Sequence, residues 1–103
     1  NDVIVGNDLA NSFTGGAGDD VFVFEAGFGA DTIADFNASN AEKIDLTEIS
    51  GITDFVDLTT NHLSDNSGTA RITLDSGNTI DLTGITVGQI GTALDYSADD
   101  FLF

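Results

Sequence analysis

The chain has 103 residues, enough for one small domain. Two Lys or Arg residues stand against 18 Asp or Glu, a formal net charge of −16, which argues against nucleic acid and anionic membrane surfaces as partners. Hydrophobic residues make up 41%, too many for a disordered acidic tail, so a core is available but must form against self-repulsion that bound cations would relieve.

The first elements repeat. Asn1-Asp2-Val3-Ile4-Val5 is followed by Gly6-Asn7-Asp8-Leu9-Ala10-Asn11-Ser12-Phe13-Thr14 and then by Gly15-Gly16-Ala17-Gly18-Asp19-Asp20-Val21-Phe22-Val23. Asp2, Asn11 and Asp20 fall nine apart, as do Ile4, Phe13 and Phe22. A fourth copy runs through Gly27-Phe28-Gly29-Ala30-Asp31-Thr32-Ile33-Ala34, with Asp31 eleven residues after Asp20. Each copy is a glycine-rich turn, a carboxylate or amide, and a β-prone triplet whose centre is apolar and points inward. Glycines let the turn aim several carbonyl oxygens at one point, and the acid adds a charged oxygen. Oxygen-only ligation from a pliant loop suits Ca²⁺ better than Mg²⁺, which demands octahedral geometry.

Gly15-Gly16-Ala17-Gly18-Asp19-Asp20-Val21-Phe22-Val23 matches the nonapeptide G-G-x-G-x-D-x-U-x in full, and the chain resembles the RTX (haemolysin-type calcium-binding) family. Asp31-Thr32-Ile33-Ala34-Asp35-Phe36 and Glu42-Lys43-Ile44-Asp45-Leu46-Thr47 are similar to the segment that closes the β-rolls of serralysin-type proteases and alginate epimerase modules. The resemblance implies an all-β fold: a short right-handed parallel β-roll over residues 1–36 with Ca²⁺ between its turns. A β-rich segment with one short helix, residues 37–103, would cap it within one folded unit. Two nonapeptides make one circuit of such a roll, so alternate turns stack. The turn ending at Asp2 should lie under Gly15–Asp20, and the turn Gly6–Asn11 under Ala26–Asp31. The turn bringing Asp35 should return above Gly15–Asp20. Two to three ions follow, with Asp2, Gly6, Asp8, Asn11, Gly15, Gly16, Ala17, Gly18, Asp20, Gly27, Gly29, Asp31 and Asp35 as candidate ligands. The second copy has lost two glycines and carries the neutral Asn11.

Beyond Asn37 the period breaks. Asn37–Ala41 reads as a polar loop that includes a glycosylation-like triplet, Asn37-Ala38-Ser39. Lys43–Thr47 reads as a strand with alternating faces. Thr53 is the candidate N-cap of a helix over 54–62, with Phe55, Leu58 and His62 on one side. Ala70–Leu74 and Thr79–Thr83 alternate as a β-hairpin around Asp75-Ser76-Gly77-Asn78. Gly84–Asp95 carries no assignable pattern. The cap is expected to bury Ile44, Leu46, Phe55, Ile72, Leu74, Ile80 and Leu82, covering the last layer of the repeats.

No constellation reads as catalytic. Cys is absent and His62 is the single histidine, which leaves no thiolate site and no His-based triad. Ser12, Ser39 and Ser50 lack a nucleophile-elbow context. His62 reads as a surface residue near a helix end, and Asp99-Asp100 as a solvated acidic tip. No apolar run approaches the ~18 residues of a membrane span. The chain shows no N-terminal signal peptide and opens abruptly, as a piece of something longer would. Asp99-Asp100-Phe101-Leu102-Phe103 resembles the uncleaved C-terminal signal of proteins exported by type I secretion; the same residues read equally as a final edge strand that packs Phe101 and Phe103. The expectation is a secreted, monomeric, non-catalytic calcium module whose partners are Ca²⁺ and the type I secretion machinery. The rival readings are an extracellular adhesive or structural module, the tail of a secreted hydrolase or epimerase, and an acidic mimic of nucleic acid.

Overall fold

Alternate triplets pair with one another, and this builds two ladders across a shared core. The structure is a computed structural model that describes residues 3–6, 9–16, 18–37, 42–75, 77–91 and 96–103. Strands β1 (Val3–Val5), β3 (Val21–Val23), β5 (Lys43–Asp45) and β9 (Phe101–Leu102) form one parallel sheet in that order. Strands β2 (Ser12–Phe13), β4 (Ala30–Ile33) and β8 (Asn78–Leu82) stack in parallel in the second. That sheet continues by antiparallel pairing through β7 (Thr69–Asp75) and β6 (Leu63–Asn66).

The register lines up the triplet centres. Ile4, Phe22, Ile44 and Phe101 form one row, and Phe13, Ile33 and Leu82 the facing one. The Phe13 and Phe22 rings meet at 6.4 Å between centroids. Phe22, Ile33, Ile44 and Leu82 are fully buried. Each such side chain stabilises the fold by about 1.5–3 kcal/mol relative to exposure. Phe36 continues the core toward the C-terminal residues, stacking on Tyr96 at 5.4 Å and meeting Phe101 at 6.3 Å.

The molecule is strand-rich, but an all-β description needs correcting. One sheet mixes parallel and antiparallel pairing, and helical turns interrupt the C-terminal part. The N-cap is Asp54, one residue after the expected Thr53, because the Asp54 carboxylate accepts from Asp57 N at 2.7 Å. Thr53 N donates instead to Asp57 Oδ2. The α-helix α1 covers only Phe55–Asp57 and widens into a π-helical turn over Leu58–His62. There the Thr59 hydroxyl donates to the Phe55 and Val56 carbonyls, competing with the backbone ladder. Strand β5 stops at Asp45, not Thr47, since Asp45 Oδ1 captures both Thr47 N and its hydroxyl.

The hairpin strands are β7 and β8, and the bulge between Thr73 and Asp75 lies beside their turn. Ile44, Leu46, Ile72, Ile80 and Leu82 are buried as expected, whereas Phe55 and Leu74 are half-buried. Strand β6 was not expected. Its turn to β7 places Ser67 and Gly68 at φ 54° and 90°, the mirror-image turn that matches strand twist. Within Gly84–Asp95 the chain makes a 3₁₀ turn over Val87–Gln89, closed by Thr86 and Gln89 as a capping box. Residues 38–41, including most of the glycosylation-like triplet, and residues 92–95 lie outside the described residues. No helix among the described residues is long and apolar enough to cross a membrane.

Candidate cation-binding site

Two turns of the repeat share one backbone form. Gly16 and Gly27 adopt φ 78° and 77°, and Gly18 and Gly29 adopt 106° and 83°. A side chain at these positions would be strained, and this is why glycine recurs there. The leading glycines serve a different need. A Cβ on Gly15 would collide with Asp20 Oδ2, and one on Gly6 would collide with the Phe13 ring at 2.8 Å, with Asn11 Oδ1 and Asp31 Oδ2 in ordinary contact at 3.5 and 3.6 Å. Each turn thus folds its own sixth-position oxygen back over its first glycine. At Gly6, an oxygen from the turn above converges on the same point.

Hydrogen bonds link some of the turns. Asp31 Oδ1 accepts from Asn11 N at 2.8 Å, 20 residues away. Asp35 receives Gly15 N on Oδ1 at 2.9 Å and Gly16 N on Oδ2 at 2.8 Å. Asp35 therefore sits over the Gly15–Asp20 turn, and Asp31 over Gly6 and Asn11. Asp20 and Asp31 are 0% and 1% exposed, since both occupy inward-facing positions at the mouth of a strand.

One residue of the site escaped the sequence reading. Glu42 is 0% exposed and precedes β5 as Asp20 precedes β3. Because Val21 pairs with Lys43, Glu42 falls beside Asp20. Asn37 N donates to Glu42 Oε2 at 2.5 Å. The signal was present: Glu42 follows Asp31 by eleven residues, the interval that separates Asp31 from Asp20. It was missed because no glycines lead into it.

Burial raises the Asp31 carboxyl above its ordinary range, against the opposing hydrogen bond from Asn11. Burial likewise raises Glu42, reinforced by the charges of Asp35 and Asp20. Asp31 Oδ2 and Glu42 Oε1 are buried without a hydrogen-bond partner among the described residues. An ionised carboxylate is unstable in such a setting unless a proton or a cation sits against it. Among the described residues no three His, Cys, Asp or Glu side chains form a metal cluster by themselves. A cation here needs backbone oxygens as well, as a hard ion with six to eight oxygen ligands would take.

The remaining candidates divide. Gly29 carries the expected conformation, but both its polar groups are engaged by β8: Asn78 Oδ1 accepts its N–H and Thr79 N donates to its carbonyl. Gly18 and Gly27 shape their turns through positive φ. Asp2, Asp8 and Ala17 lie outside the described residues.

Outside the turns, two expectations change. His62 is not a surface residue: it is half-buried, with Nδ1 2.8 Å from Thr73 O and Nε2 3.4 Å from Asp57 Oδ2. Asp100 is not a solvated tip; it is buried, and its Oδ2 accepts from Ser97 N to close a 3₁₀ turn over Ala98–Asp100. Lys43 Nζ donates to the Asp99 carbonyl. No family profile matches this sequence, and searches of curated proteins and of solved structures return no similar chain.

Proposed function

We propose that this chain is a calcium-dependent folding module of the RTX type. Its N-terminal turns form a short right-handed parallel β-roll, and residues 37–103 cap it. The observation that carries this reading is the pair of buried acidic oxygens between stacked turns, Asp31 Oδ2 and Glu42 Oε1, that lack a donor among the described residues. Two to three Ca²⁺ ions answer that need. One lies between the Gly6–Asn11 and Ala26–Asp31 turns, held with Asn11 and Asp31. Another lies between Gly15–Asp20 and the turn that carries Asp35 and Glu42.

Bound Ca²⁺ supplies the positive charge that lets these carboxylates ionise inside the fold. It also offsets part of the −16 net charge. Ions that bind only the folded chain stabilise it by RT ln(1 + [L]/Kd), ~2.7 kcal/mol per site at a hundredfold excess over Kd. The chain then stays open where calcium is scarce and folds where it is plentiful. That switch suits a secreted protein whose tail, Asp99–Phe103, carries a type I secretion signal. The module itself is non-catalytic.

The test is a calcium titration followed by circular dichroism and X-ray scattering. With Ca²⁺ the radius of gyration should approach 12.1 Å; with chelator it should rise toward the ~30 Å of an unfolded chain of this size. Mg²⁺ should substitute poorly. Identical profiles in calcium and chelator would refute the proposal.

A further inference from the structure

The turn Ala26–Asp31 is held from the C-terminal half by one side chain. Asn78 Oδ1 accepts from Gly29 N at 2.9 Å across a separation of 49 residues, and Thr79 N donates to Gly29 O at 3.0 Å. Both ends of the Gly29 residue are thereby fixed against β8, while its φ is held at 83°. Two residues further on, Asp31 extends its carboxylate to Asn11 N and toward Gly6. The parallel pairing of Ala30 with Thr79 and Asp31 with Ile80 leaves little freedom between the clamp and the acid. Asn78 repeats, one layer higher, what Asp31 and Asp35 do below: a side-chain oxygen of the upper layer takes a backbone N–H of the turn beneath. Its amide also has a second partner, because Nδ2 donates to Asp75 Oδ1 at 2.7 Å within the hairpin.

We infer that Asn78 is a positioning residue for the Asp31 cation site, and that through it the β7–β8 hairpin and cation binding at Asp31 are coupled. The inference rests on the calcium reading above but adds a residue that contacts no ion. Coupling of this kind is reciprocal. Fixing Gly29 presents Asp31 in its binding position, and an ion on Asp31 steadies the hairpin. Asp20 and Glu42 flank β3 and β5 in the other ladder, so they should feel the change much less.

The experiment follows Ca²⁺ titrations of the full chain by amide NMR. Asn11 and Gly6 report the Asp31 site; Gly15 and Gly16 report the Asp35 site. Asn78→Ala should weaken the Ca²⁺ midpoint at Asn11 and Gly6 by roughly three- to tenfold, the factor one lost hydrogen bond carries, with Gly15 and Gly16 shifting less. Asn78→Asp, made together with Asp75→Asn so that two carboxylates do not face each other, keeps the acceptor for Gly29 and should stay close to the midpoint of the Asp75→Asn chain. In the folded parent chain, raising Ca²⁺ further should slow hydrogen exchange at Thr79 N more than at Leu46 N, which is bonded within the other sheet. Equal shifts at both reporter pairs, or the double variant failing as badly as Asn78→Ala, would overturn the inference, since the hairpin would then matter only for general stability. If the parent chain shows no Ca²⁺ response at either pair, the calcium reading itself falls. Should the alanine variant fail to fold, the double variant and the exchange measurement still decide.

Discussion

Replacing Glu42 with Gln keeps the shape of a wholly buried side chain and removes its charge. Glu42 lies beside Asp20 and Asp35, with one carboxylate oxygen lacking a donor among the described residues. The effect on stability should therefore depend on what shares the site. Without calcium, Gln relieves repulsion among three acids, and its amide can donate to Asp20. With calcium, the site loses a charged ligand. A tenfold to hundredfold weaker Kd, at an ion concentration a hundred times the parent Kd, removes roughly 1.3–2.3 kcal/mol from a ~2.7 kcal/mol contribution. For a domain near this size, 1 kcal/mol moves Tm by roughly 4–8 °C, so Tm in calcium should fall by roughly 5–18 °C. In calcium-free buffer, with an excluded osmolyte added to both chains so that the ion-free state folds, the variant should be at least as stable as the parent. Thermal melts by circular dichroism in both buffers read the two cases directly. An equal fall in both would refute the reasoning, because Glu42 would then be a packing residue and not a cation ligand.

Three further outcomes follow from the same geometry. Asp31 and Glu42 are both held above the ordinary carboxylate range, so the ion-free folded chain binds more protons than the unfolded one. Its stability should fall as pH rises through their folded values, and calcium should reverse that order; half-buried Asp57, held low by Asn61, works the other way. Melts at about pH 4.5 and pH 7, each with and without calcium, check the crossing. Asp20→Asn should raise the calcium midpoint more than Asn11→Ala does, because Asp20 is a buried acid beside Glu42 whereas Asn11 carries no charge; equal shifts would contradict this stacking. Phe101→Ala should destabilise by ~3–5 kcal/mol, as expected for a buried aromatic, whereas Phe103, 37% exposed, should lose far less on the same change by urea unfolding.

The repeat was legible because its acid or amide and its inward apolar residue recur together from copy to copy, and the backbone pairs alternate copies, β1 with β3 and β2 with β4. Legibility ended where the turn glycines did. Glu42 keeps the acid and the strand but enters through a different loop, so glycine spacing could not point to it. Strand β6 was hidden because Leu63-Ser64-Asp65-Asn66 has no β-branched or aromatic residue; its pairing with β7 outweighs that weak propensity. The helix was overestimated because Asp54, Thr59 and Asp57 each offer the backbone a local alternative to further α turns. Asn78 could not be foreseen at all. Its role depends on a parallel pairing between β4 and β8, and no periodicity in the sequence announces that pairing.

The last strand has a consequence for the order of events. Strand β9 lies beside β5, with Phe101 opposite Ile44, and β8 lies beside β4 across a comparable stretch of chain. Neighbouring turns of the repeat can zip together over about twenty residues, but both sheets are completed only by segments that return from far along the chain. Loop closure over such distances is slow, and a parallel sheet has no tight turn to begin from. Stopped-flow refolding on addition of calcium should therefore separate into a fast local rise and a slower step. Only the slow one should carry the near-ultraviolet signal of Tyr96, the chain's single tyrosine, as it stacks on Phe36.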